Sequence, residues 1–399
     1  MSQLFEEGNN NRVYLDYAAT TPVDPRVVEA MLPYFTERYG NASSIHSNGR
    51  GSKLAIDNSR KIIANLMNAV STEIFFTSSA TEANNWVLKG HAFYKDKDEA
   101  HIAISTIEHD CILNSANWLK KKGYRVSYLP VDEYGFVDIE SLERVLEDGA
   151  TLVSVIHGNN EIGTVEPIEK IGRLCREHGA LFHTDAAQTF GKIPINVREM
   201  NIDLMTVNAH KLYGPKGIGA LFIRDGINLS PLLHGGGQER GRRSSTENVS
   251  GIVGFGKATR LRSKEMQEEA IHLSSLRDKL INGALEIPES YLNGHPIMRL
   301  PNNIHLRFSY IEGEALILSL DSDGISASTG SACSSHSLEP SHVLLAIGLT
   351  PVEAHGSLRL SLGKYSTDDD IDYVLDVLPR TVRRLREISP LTPSELKTQ

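Results

Sequence analysis

Cysteine is scarce in this chain. Three thiols, Cys111, Cys175 and Cys333, occur in 399 residues, too few for a disulfide framework and without the paired spacing of a structural metal site. A reducing compartment and no bound metal are expected. A surplus of basic charge is also lacking: 41 Lys and Arg stand against 50 Asp and Glu, a net charge of −9, which argues against the basic face of a nucleic-acid coat. No stretch sustains the roughly 18 apolar residues of a membrane span. The opening residues MSQLFEEGNNNRVYLDY have neither the basic region nor the apolar core of a secretory leader. The expectation is a cytoplasmic protein with no membrane and no direct nucleic-acid partner. Internal repeats, low-complexity tracts and Pro-rich linkers are missing too.

What is present is an α/β pattern. Between about Asp24 and Asn208 helical stretches alternate with short apolar runs, the signature of strand-crossover-strand units and a largely parallel sheet. Residues Lys53 to Met67 place Leu54, Ile62, Ile63 and Leu66 near helical spacing, which predicts an amphipathic helix. The runs EIFFTS, HIAIST, RVSYLP, TLVSVIH, ALFHTD, IDLMTVN and IGALFI are short, rich in β-branched and aromatic residues, and bounded by turn residues. They predict one mostly parallel seven-stranded sheet. After a long helical stretch from Gly251 to Leu285, IHLRFS, GEALILSL, ISAST and LRLSL lead to a charged helix from Asp368 to Ile388, predicting a smaller α+β domain. The expected division is residues 17–265 for the large domain, with 1–16 and 266–399 forming the small one.

Three places carry candidate chemistry. In AHKLYGPKG, Lys211 follows a strand and precedes a Gly-rich turn, at the kind of strand end where α/β sheets bind ligands. Partial desolvation and cationic neighbours such as His210 would help such a Lys act as an imine-forming nucleophile; a surface lysine is the plain alternative. Asp185, in FHTDAAQ, ends another strand, where a carboxylate can pair with a protonated pyridine nitrogen or serve only as a cap or turn residue. In TSSATEANN, a strand passes to a helix through small hydroxyl residues. Amides at Ala80 and Thr81 and the helix dipole could meet a phosphate, although most such turns only cap helices.

Taken in order, YLDYAATTP (14–22), TSSATEANN (77–85), EHD (108–110), HGNNEIG (157–163), HTDAAQ (183–188), NAHKLYGPKG (208–217), HGGGQERGRRSSTEN (234–248) and STGSACSS (328–335) resemble the NifS/IscS-type cysteine desulfurases. These are pyridoxal phosphate (PLP) enzymes of the fold type I transferase class. The resemblance runs from about Tyr14 to Ile388. It implies that Lys211 holds PLP covalently, that Asp185 pairs with the pyridine nitrogen, that Gln188 bonds the ring hydroxyl, and that Asn159 lies near that hydroxyl and the substrate. It further implies that His109 stacks on the ring as an acid/base group; without the resemblance, a capping histidine at a helix start is the preferred reading. Ala80, Thr81 and His210 would hold the phosphate with Thr246 of a neighbouring subunit, so a homodimer is implied. Arg359 would clamp the substrate carboxylate, since its planar fork suits that group, and Asn41 would line the same pocket.

Two residues depart from the family pattern: Ser79 replaces a common Gly, and Asn208 a common Ser or Thr beside the phosphate. Cys333 lies in a run of small polar residues, TGSACSSHS, and by resemblance is the sulfur acceptor; an isolated cysteine is otherwise a small buried hydrophobe. Cys111 and Cys175, on apparent helices, are expected to be structural thiols. The implied reaction takes sulfur from L-cysteine, giving L-alanine and a Cys333 persulfide. The length from Ser331 to Pro340 resembles the group that passes sulfur to an iron-sulfur scaffold or a sulfur carrier protein.

Overall fold

A computed structural model describes residues 12–330 and 340–396; Cys333 lies outside the described residues. Within them the strands are β1 (Val13–Tyr14), β2 (Ile74–Thr77), β3 (His101–Ser105), β4 (Arg125–Leu129), β5 (Leu152–Ser154), β6 (Leu181–Asp185), β7 (Leu204–Asn208), β8 (Gly219–Ile223), β9 (Ser290–Leu292), β10 (Asn303–Phe308), β11 (Ile325–Ser326) and β12 (Ser357–Ser361). Contacts divide the chain into a larger unit, Thr20–Asn159 with Thr164–Glu268, and a smaller one that includes residues up to Ala19, Asn160–Gly163 and the chain from Glu269. The division at Glu268 falls inside the helix Val249–Ala284.

The larger unit contains the seven-stranded sheet in the order β2-β8-β7-β6-β5-β3-β4. Each of the seven apolar runs in the sequence forms one of its strands. Only β8 runs against its neighbours β2 and β7; the other pairings are parallel.

Successive residues of a strand point to opposite faces, and each face here has its own core. Ile74, Phe76, Ala103, Val153, Met205 and Phe222 join one cluster, whereas Phe75, Ile102, Ile104, Leu152, Leu204 and Leu221 join another. The first cluster takes Ile56 and Ile63 from the helix Ser47–Leu66 and Ile171 and Cys175 from Ile168–Glu177. The second takes Trp86 and Val87 from Ala80–Tyr94 and Ile112 and Leu119 from Asp110–Lys121. Strands apolar on both faces are what a helix-covered parallel sheet requires, and each fully buried Leu, Ile or Phe contributes roughly 1.5–3 kcal/mol.

The helix predicted from Lys53 begins six residues earlier, at Ser47, because the His46 ring accepts the amide hydrogen of Gly49 and caps it there. In the smaller unit β10 lies between β12 and β9, both antiparallel, and β1 pairs in parallel with β11. The short strands β1 and β9 carry too few residues to show a period. No helix among the described residues is long and apolar enough to cross a membrane.

Candidate active site

Because β2, β3, β5, β6 and β7 all point the same way, their carboxyl ends share one edge of the sheet. The segments leaving that edge are Ser78–Thr81, Thr106–Cys111, Val155–Asn159, Ala186–Gln188 and Ala209–Lys211. Every cofactor-binding candidate read from the sequence, apart from Thr246, lies at or just beyond such an end, which is where open α/β sheets bind ligands. Thr246 instead lines a cavity of about 250 Å³ together with Thr77, Ser78 and Arg243.

Asp185 is the last residue of β6 and is buried. Its Oδ1 accepts the amide of Ala187 at 2.8 Å and its Oδ2 accepts the Asn84 side-chain amide at 2.7 Å. Held at both oxygens, the carboxylate is fixed in orientation. Gln188 is buried one turn on, its Oε1 accepting from Lys192 Nζ at 3.2 Å. Asn159 is fully buried; its side-chain amide donates to the Ile107 carbonyl at 3.0 Å, and its backbone amide bonds Thr164.

The helix from Ala80 starts with a side-chain cap. Ser79 accepts from Glu82 N through its side chain and from Ala83 N through its carbonyl, leaving the amides of Ala80 and Thr81 ahead of the intrahelical ladder. Ser79 sits at φ −169°, extended backbone that any residue adopts, so replacing the family's Gly brings no strain here. The Ser-rich turn therefore caps the helix and leaves its first two amides open. Glu82 is pinned by Arg243 through two bonds of 2.7 and 2.9 Å and by Ser78. Burial raises the Glu82 carboxyl, but Arg243 and Ser78 outweigh it and hold the group below its ordinary value.

Asn208 ends β7, buried, with a side-chain oxygen that meets no partner among the described residues. Lys211 follows three residues later. His210 sits with Nδ1 3.2 Å from Thr20 Oγ1. Burial first, then the charges of Lys211, Lys216 and Lys192, lowers it to about 4. The expectation that His210 is a cationic neighbour of Lys211 is thus corrected: the ring is neutral at pH 7, because desolvation and three lysines disfavour its proton.

His109 caps the helix Asp110–Lys121, its Nδ1 accepting the Cys111 amide hydrogen at 3.2 Å. The capping reading of this histidine holds, and it leaves Nε2 for other work. Cys111 is more than a core thiol. Its sulfur lies 3.1 Å from His109 Nδ1 and 3.2 Å from Asn84 Nδ2. Cys175 is fully buried, and burial pushes its thiol up to about 12. Asn41 is exposed and its side chain accepts from Ser43 N at 2.8 Å, closing its own turn. Sequence reasoning passed over Asn84 although it stands in TSSATEANN, because only its packing against Asp185, 101 residues away, gives it a role.

In the smaller unit Arg359 lies on β12, 3% exposed. One terminal nitrogen donates to the Asn160 and Gly330 carbonyls at 2.9 and 3.3 Å, the other to Asp16 at 2.8 Å, while Nε has no acceptor among the described residues. A buried guanidinium with an unused donor can take a further anion.

These features fit PLP. A fixed carboxylate suits a pyridinium, two open first-turn amides suit a phosphate, and the unpaired Asn208 oxygen retains bonding capacity for a ligand. Class-V aminotransferases work with PLP, and residues 13–374 match the model of the Aminotransferase class-V family. A curated relative, cysteine desulfurase IscS of Methanosarcina thermophila, is 53% identical over 98% of this chain and 96% of its own. A solved NifS-like protein superposes with a TM-score of 0.88 at 39% identity, covering 94% of this chain and all of that one. Another solved structure, SspA in complex with cysteine, gives a TM-score of 0.79 at 37% identity, covering 89% of this chain and all of that one. With the family model spanning most of the sequence and a relative similar along nearly all of it, this chain belongs to the aminotransferase class-V family.

Proposed function

We propose that this protein is a cysteine desulfurase that removes the sulfur of L-cysteine, releases L-alanine and carries the sulfur as a persulfide on Cys333. The observation that carries the reading is the convergence of Lys211, Asp185 and His109 on the carboxyl edge of the sheet in a chain about 50% identical to curated cysteine desulfurases. The solved relative described in complex with cysteine supports the substrate.

Bound PLP supplies an electron sink, which makes the substrate Cα–H acidic and its Cβ–S bond open to cleavage. Lys211 holds the cofactor and its Nζ moves the Cα proton. Asp185, anchored by Asn84 and Ala187, keeps the pyridine nitrogen protonated. Gln188 and Asn159 meet the ring hydroxyl. Ala80, Thr81, Asn208 and neutral His210 hold the phosphate, with Thr246 of a second copy of this chain, so the working form is a homodimer. Arg359 binds the substrate carboxylate through its unused donor and Asn41 lines the pocket. His109 exchanges a proton with the substrate thiol through Nε2. Cys333, as thiolate, attacks the substrate sulfur: an S–S bond forms, the Cβ–S bond breaks, its electron pair stays on Cβ, and protonation there gives alanine.

The persulfide passes to a thiol of an iron-sulfur scaffold or a sulfur carrier in the cytoplasm. The test is alanine release from L-cysteine by the PLP-loaded protein and its Cys333→Ala variant, with a thiol reductant present. Release by the wild type alone is expected. Equal release by both variants, or by neither, sinks the reading.

A further inference from the structure

We propose that Cys111 is a positioning residue of this site, its thiol tying the His109 ring to the Asn84–Asp185 pair and holding the ring in its orientation. The proposal rests on the reading of His109 and Asp185 as the residues that serve PLP and substrate.

The bonds have a direction that elementary donor rules fix. Nδ1 of His109 accepts the Cys111 backbone N–H at 3.2 Å, so Nδ1 carries no hydrogen and the sulfur 3.1 Å away meets its lone pair. That contact is bonding only if the thiol donates. The thiol does keep its proton: burial foremost, and next the charge of Asp185, push it up to about 12. The sulfur lone pairs then face a donor. Asn84 Nδ2 gives one hydrogen toward the sulfur at 3.2 Å and the other to Asp185 Oδ2 at 2.7 Å.

One small side chain thus touches the acid/base histidine and the amide that orients the carboxylate. The Asp185 carboxylate and the His109 ring are joined through two intervening groups, Asn84 and Cys111. Such chains polarise one another in a poorly solvated interior. An alanine leaves the backbone bond to Nδ1 but removes the thiol donor and unties Asn84 from one of its two acceptors. Serine, with one donor hydrogen and acceptor lone pairs, keeps the pattern.

The experiment uses the full chain with and without PLP. The S–H stretch of Cys111, isolated as the difference spectrum of wild type minus Cys111→Ala, should be displaced toward hydrogen-bonded frequencies. In the His109→Ala background the same difference should move toward the free-thiol position. Imidazole 15N spectra should show Nδ1 of His109 as the unprotonated nitrogen in both wild type and Cys111→Ala, because the backbone bond remains, with its resonance displaced in the variant by loss of the thiol donor. Per bound PLP, kcat for alanine release should fall about 3- to 10-fold in Cys111→Ala, the range of one lost hydrogen bond. KM should be unchanged, and Cys111→Ser should recover most of the loss.

An S–H band indifferent to His109→Ala overturns the proposal. So does a Cys111→Ala enzyme with wild-type kcat per bound PLP, even if it melts lower, since that is a packing role alone. If no form turns over L-cysteine, the functional reading fails while the S–H and 15N spectra still decide this one.

Discussion

Arg60 and Glu239 form a buried two-bond ion pair, both contacts 2.6 Å, beneath two consecutive left-handed residues that are not glycine, Glu239 at φ 47° and Arg240 at φ 58°. Left-handed backbone at such residues costs roughly 1–3 kcal/mol each. The pair, a bond from the Phe76 amide to Glu239 and the stacking of Arg240 on the Phe75 ring 4.2 Å away hold the segment in place. Removing one partner strands a buried charge. Arg60→Ala or Glu239→Ala is expected to destabilise the protein by about 3–5 kcal/mol, measured by urea unfolding; a loss below about 1 kcal/mol would mean the pair is hydrated in solution.

Glu108 offers a pH test. Burial dominates and raises its carboxyl to about 8, with Asp185 adding to the rise and bonds from Ser105 and the Ile156 amide opposing it. The folded state therefore holds a proton that the unfolded chain releases near 4.5. The contribution is full below that value and is lost as pH rises toward about 8. Glu108→Gln, which accepts the same two bonds, should remove this dependence. Its melting temperature should gain on the wild type as pH climbs through the window, and a constant gap would refute the assignment.

Buried histidines act on the acid side. Burial lowers His91 and His157 to about 4 and His183 to about 3. The unfolded chain takes up protons below 6.5 that these folded rings refuse, so stability falls as pH drops from 6.5 toward 4. Glu108 works in the opposite direction over part of that range, so the measurement belongs in the Glu108→Gln background. Glu166, raised by burial, also opposes the histidines, so the readout is the comparison of pair and parent: His157→Gln should lose less stability than its parent between pH 6.5 and 4 in urea titrations, and an unchanged slope would count against His157.

Arg359 gives a kinetic prediction. Arg359→Lys keeps a positive charge but lacks the planar fork. KM for L-cysteine should rise about 10-fold or more, with a smaller change in kcat. A KM within twofold of wild type would place carboxylate recognition elsewhere. Asp16→Ala, which removes the partner of the nearly buried guanidinium, should lower stability by a few kcal/mol.

The local chain wrote the strands plainly. Apart from the edge strand Arg125–Leu129, in which only Leu129 is buried, the runs are apolar enough to be buried on both faces, and Ile, Val, Leu and Phe at consecutive positions have few other stable places. Asp185 and Lys211 were legible as site residues because each stands at or just after the end of such a run. Pairing was not legible. That β8, after reversing beside β7, also pairs with β2 depends on contacts more than 100 residues apart, which no local period records.

The same reason hid the work of Asn84 and Cys111. Nothing in their neighbourhoods separates an amide and a thiol on amphipathic helices from ordinary packing residues, and only the parallel order of β2, β3 and β6 brings their helices and Asp185 to one edge. His210 shows the limit from the other side. Sequence fixes its residue type, but its charge is set by how much water the fold removes and how many lysines it gathers. Composition and periodicity determined which residues form the sheet and which chemistry they offer. Tertiary structure decided protonation, orientation and partnership, since these depend on distance and solvation.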